Sequence, residues 1–187
     1  YNLAEVIFNK VEESGKVKGR FSGEFYSLYG NLKFCLNDLS KSIEFHTKAK
    51  NYSTKYNDKF FVLYNLGISA KSYVLVNNSS EFKENVIKEY DSLDPEDPDP
   101  RYGLRILIYM AYLYNQEGQS HLSSLYLQSA EEIYSSSTSE IDKCVFCIYR
   151  SLILFSNYNF QKGFLWLDFA EENLRKFGIY NVYKQQI

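Results

Sequence analysis

Cys144-Val145-Phe146-Cys147 has the spacing with which many chains present two thiolates to a metal or to a disulfide-exchange partner. Either use favours a turn or a helix N-terminus, and zinc needs two further ligands. Here the pair lies inside an apolar stretch at helical spacing, and Cys35 is the only other cysteine. Two buried thiols acting as small hydrophobes are therefore expected. His46 and His121 are the only histidines. A Ser–His–acid arrangement would rest on nothing but the abundance of Ser and Asp, and both read as surface or hydrogen-bonded interface side chains. Gly15-x-x-x-Gly19-x-x-x-Gly23 lacks the Lys-Ser/Thr and the preceding strand of a phosphate loop. Lys10, Lys16, Lys18 and Arg20 could touch phosphate or an acidic partner, but Glu12 and Glu13 interrupt them and a solvated loop is expected. Asn51-Tyr52-Ser53, Asn77-Asn78-Ser79 and Asn78-Ser79-Ser80 match the glycosylation pattern and read as chance matches in an Asn- and Ser-rich chain. Ser135–Ser139 is a phosphorylation candidate whose simpler reading is a polar linker. No constellation supports an enzyme, and no metal or cofactor is expected.

The elements that must position these residues are legible from composition onward. The chain has 187 residues, 45% hydrophobic and 24% charged, with a net charge of −2. That length can bury a sizeable core, and a single domain over 1–187 is expected. Near-neutrality gives no reason to expect direct nucleic-acid contact or an anionic membrane as partner. Nine Gly and three Pro are too few for a β-rich domain with many turns, whereas aromatics reach 18%. Three cysteines make no disulfide framework, which points to a reducing, intracellular compartment, cytoplasmic or nuclear. No run approaches the ~18 apolar residues of a membrane span. Neither end reads as a signal peptide, both ends read as partial helices, and the chain is expected to be a piece of a longer protein. Charge is uneven: residues 1–60 hold ten basic and seven acidic groups, 61–100 three and eight, and 101–187 eight and eight.

Helical periodicity covers almost the whole chain, over roughly 1–13, 21–36, 39–52, 59–76, 81–92, 102–116, 120–135, 141–157 and 160–177. Turn or N-cap residues mark the junctions: Asn37-Asp38, Asn57-Asp58, Asn77 to Ser80, Gly118 to Ser120, Ser139, Asn157 to Asn159 and Gly178. Phe60–Tyr64 suits a strand by propensity, but its continuation through Leu66, Ala70 and Tyr73 decides for helix. All three prolines fall in Asp94–Pro100, expected to be a rigid acidic connector.

One register of small residues recurs four times. Gly30, Gly67, Ala111 and Ser151 sit in first helices; twelve residues on come Ser42, Ser79, Ser123 and Gly163, and seven further Ala49, Val86, Ala130 and Ala170. Small residues facing one another let antiparallel helices approach closely, and a hairpin so built must stack on copies to bury its apolar face.

These residues resemble the tetratricopeptide (TPR) family. Met110-Ala111, Tyr114, Ser123, Leu127 and Ala130 match its small and large positions, as do Ser151, Leu154, Gly163, Leu167 and Ala170. The first two units depart from the pattern: His46 and Lys83 stand where a large apolar residue is usual, and Lys33 and Ala70 where an aromatic is usual. The resemblance implies an all-α, right-handed superhelix (α-solenoid) of about four stacked hairpins without a sheet, with repeats near 22–56, 59–93, 103–137 and 141–177. It also implies a concave face lined by first helices, on which Asn31, Tyr64, Lys71, Arg105, Tyr112 and Asn115 would meet a protein or peptide partner. Packing between repeats is the competing role for Tyr64 and Tyr112. The expected function is a non-enzymatic scaffold within a larger intracellular complex. The alternative is the peptide-sensing domain of a bacterial quorum-sensing-type transcription regulator. Homo-oligomerisation stays open.

Overall fold

A computed structural model of the chain describes residues 1–19, 21–92, 100–136 and 139–178. The periodicity is realised as helices: α1 (Asn2–Glu13), α2 (Ser22–Cys35), α3 (Leu39–Lys55) and α4 (Lys59–Leu75) come first. A helical stretch follows, made of α5 (Ser79–Phe82), a π-helical turn (Lys83–Ile87) and α6 (Lys88–Asp91). Then come α7 (Pro100–Gln116), α8 (Ser120–Ser136), α9 (Glu140–Ser156) and α10 (Phe160–Lys176). No strand occurs among the described residues, and the fold is all-α, as the periodicity predicts. Phe60–Tyr64 is helical, with Val62 and Leu63 buried in α4, so the long apolar period overrides local strand propensity. Arg20, the segment 93–99, Ser137, Thr138 and the stretch 179–187 lie outside the described residues. With them lie the expected acidic connector, the centre of the phosphorylation candidate, one member of the basic cluster and the final partial helix.

The helices form two compact units, Tyr1–Asp99 and Pro100–Ile187, divided at the proline-rich segment. In the first, α3 packs about as closely on α4 as on α2. In the second, α7 pairs with α8 and α9 with α10, and the two hairpins meet mainly through α7 and α9.

Five joints share one design. A residue with positive φ ends each helix: Asn37, Asn57, Asn77, Gly118 and Tyr158, with φ between 54° and 73°. At each, the N–H of the next residue reaches back to a carbonyl five residues earlier, as from Asp38 to Lys33 and from Asp58 to Ser53, both at 2.9 Å. That bond closes a Schellman-type end and satisfies carbonyls the helix leaves unpaired. The same next residue then caps the following helix in three cases: Asp38, Asp58 and Asn78 accept from the N–H groups of Lys41, Phe61 and Glu81. Two residues therefore suffice to stop one helix and start another.

The small-residue register is buried except at Ser79, which is half-buried. Ala49, Ala130 and Ala170 are wholly inaccessible, and Gly30, Gly67, Ala111, Ser151, Ser42, Ser123 and Gly163 are buried with them. In the third hairpin the two small positions touch, Ser123 Oγ donating to the Ala111 carbonyl at 2.8 Å. In the first, Gly30 faces the His46 ring rather than Ser42, which instead lies 3.4 Å from Ser72 Oγ of α4. The second hairpin has Val86 where the others have alanine, and this larger buried residue sits in the π-helical turn. Aromatic rings fill the remaining space: Phe8 of α1 stacks on Tyr29 of α2 at 5.0 Å, and Tyr29 on Phe45 of α3 at 4.0 Å.

Candidate functional site

The six residues assigned to the partner face are all half-buried, and they fall into two groups, one per unit. In the first unit Asn31 of α2 donates through Nδ2 to the Tyr64 hydroxyl of α4 at 3.1 Å. About one turn further along α2, the ring of Phe34 lies under the ammonium group of Lys71 of α4, 4.7 Å from ring centre to nitrogen. α2 and α4 thus meet through a polar and aromatic strip.

In the second unit the strip runs between α7 and α9. Arg105 Nε donates to the carboxylate of Asp142, a side chain only 4% exposed. Tyr112 meets Tyr149 edge to face at 5.3 Å, and burial raises the Tyr112 hydroxyl above its usual range. Asn115 donates to Ser156 Oγ and accepts from Asn157 Nδ2 at 3.0 Å. All six residues therefore bond or pack across successive first helices while keeping part of their surface open. Tyr64 and Tyr112 do take part in packing between neighbouring helices.

The groups with chemical potential elsewhere are placed differently. Cys144 and Cys147 are buried in α9; burial pushes the first thiol up to about 11 and the second to about 12. A thiol held there carries almost no thiolate at neutral pH, so it is a poor nucleophile. Cys35 is exposed. His121 is exposed near the start of α8, while His46 is fully buried, which departs from a surface or fully hydrogen-bonded histidine. Its Nδ1 pairs with Asn65 Oδ1 at 2.9 Å, and its Nε2 has no partner among the described residues. Desolvation lowers its imidazole to about 4. A polar residue in the core gives no periodicity signal that separates it from a surface one.

A third pattern escaped the sequence reading: cations held between a carboxylate and an aromatic ring. Lys48 pairs with Glu44 at 2.8 Å and Glu12 at 3.3 Å over the Phe45 ring at 4.8 Å. Arg150 pairs with Glu131 and lies 4.3 Å from the Trp166 ring centre. Lys33, nearly inaccessible, pairs with Glu5 beside Tyr29. Each of these sites draws on two or three helices, so no fixed sequence spacing reveals them.

The chain matches no protein-family model, no curated protein and no solved structure. The class established by the fold is an all-α protein of successively packed helices, with no helix among the described residues long and apolar enough to cross a membrane.

Proposed function

We propose that this chain is a non-enzymatic, intracellular interaction scaffold of TPR-like helical hairpins that grips a peptide segment or a partner subunit, without direct nucleic-acid contact. The observation that carries this reading is a half-exposed strip on each unit, Asn31, Tyr64 and Lys71 on the first and Arg105, Tyr112 and Asn115 on the second, each taken by itself. These residues combine hydrogen-bonding groups with ring area, the mixture that supports peptide recognition. The recurring small-residue register supports stacking as the way that face is built.

The test is capture from a defined peptide array by the full chain, compared with Tyr112→Ala and Lys71→Ala. A loss of captured peptides of about tenfold or more, with unchanged thermal unfolding, supports the strip as the binding face. Equal capture by well-folded variants overturns it. Arg105→Ala is a poor probe, because it leaves Asp142 buried without its cation and confounds binding with stability.

A further inference from the structure

An open pocket of ≈ 320 Å³ lies in the first unit, lined by Phe21, Gly23 and Glu24 at the α2 start, Ser53 and Tyr56 at the α3 end, and Asp58 and Phe61 at the α4 start. We propose that this pocket takes the guanidinium group of an arginine side chain from a protein or peptide partner. Its Phe61 ring packs edge-on against Tyr64 of the first-helix strip at 6.1 Å, but this use of the pocket does not depend on that strip being a binding face.

Three aromatic rings and two carboxylates line the pocket, and among the described residues no cation does. Glu24 forms no ion pair among the described residues. Asp58 caps α4 by accepting from the Phe61 N–H at 3.2 Å, which uses one of its two oxygens. The Lys55 ammonium stands 6.0 Å from the Tyr56 ring centre, but Lys55 is not itself a lining residue. Elsewhere the molecule fills this combination from its own sequence: Arg150 between Glu131 and Trp166, and Lys48 between Glu12, Glu44 and Phe45. Here the carboxylates and rings are in place, and no cation among the described residues lines them.

The N-termini of α2 and α4 each bring about half a positive charge, which alone would favour an anion; the two carboxylates and the C-terminal end of α3 act against them. Arginine suits the site better than lysine, because its plane stacks on rings while its fork bonds carboxylates. The volume is at the low end of the roughly 300–1,000 Å³ of small-ligand pockets, which fits one side chain rather than a large cofactor.

The experiment is an amide NMR titration of the full chain with the tripeptide Ac-Gly-Arg-Gly-NH2 and with its Lys and Glu counterparts, free arginine and inorganic phosphate. Saturable shifts at Gly23, Ser53 and Phe61, larger for the Arg peptide than for the Lys peptide or free arginine, are expected. Glu24→Gln with Asp58→Asn removes both charges but retains the cap, since Asn caps as well as Asp, and should weaken binding at least about tenfold. Tyr56→Leu keeps the charges and should erase the preference for Arg over Lys. The proposal is overturned if the Glu peptide or phosphate binds these amides preferentially, if the Arg peptide gives no saturable shift, or if the doubly neutral variant binds it equally well.

Discussion

Lowering the pH should destabilise the first unit through His46 alone by an amount the structure sets. The ring lies among α2, α3 and α4 and has no accessible surface. Asn65 fixes its tautomer: Nδ2 of that amide donates to the Phe61 carbonyl at 2.7 Å, so Oδ1 faces His46 and Nδ1 carries the proton. A second proton would have to enter at Nε2, which has no acceptor among the described residues and lies against Gly30; a β-carbon at Gly30 would stand 2.7 Å from it. Desolvation therefore holds the folded imidazole down at about 4, against 6.5 for the freely hydrated ring of the unfolded chain. With the folded value depressed, the stabilisation is complete above 6.5 and is lost progressively as pH falls toward 4, because the unfolded state takes up the proton first. At about 1.4 kcal/mol per pH unit, the window amounts to about 3 kcal/mol, a large part of the roughly 5–15 kcal/mol that holds a domain folded.

The comparison is with His46→Gln, which keeps a donor for Asn65 and has nothing to titrate. The carboxylates are the same in both proteins, so their contribution to acid unfolding subtracts. Urea unfolding between pH 7.5 and 4 should show the wild type losing about 3 kcal/mol more than the variant. The reading should come from amide signals of α2 to α4, since the only tryptophan, Trp166, belongs to the second unit. Parallel pH profiles, or a His46 imidazole that titrates near 6.5 in the folded protein, would refute the reasoning.

Two further outcomes follow from backbone geometry and close packing. Tyr158 holds φ at 59° and is 83% exposed, so Tyr158→Gly should raise stability by about 1 kcal/mol; a calorimetric scan showing a lower melting temperature would contradict it. Gly30→Ala should cost about 1–3 kcal/mol, because the His46 ring it meets is buried and tethered to Asn65. Gly163→Ala should cost less, because the Phe155 ring it meets is partly exposed and can turn away; equal denaturant midpoints for the two variants would count against this account.

Helix positions were legible to within a few residues because their ends are local chemistry. An Asn or Gly that tolerates positive φ, followed by an Asp or Asn that caps, specifies a joint without help from the rest of the fold. Asn37, Asn57 and Asn77 even recur every 20 residues, a period shorter than the hairpin repeat and marking each helix singly. Tyr158 escaped that logic, since nothing in tyrosine's preferences announces a left-handed backbone. The strip was legible from register, because Asn31 and Tyr64 follow from the small residues at Gly30 and Gly67 one and three positions away. The pocket was not, since Phe21, Glu24, Tyr56, Asp58 and Phe61 come from the ends of three helices and share no period. Yet Asp58 had been visible as a cap throughout. Capping consumes one carboxylate oxygen and leaves the full charge in place, so a residue explained by folding can also be half of a binding site. Where a cap is Asp rather than Asn, as at Asp58 and unlike Asn78, that surplus charge is the feature to follow into the surrounding surface.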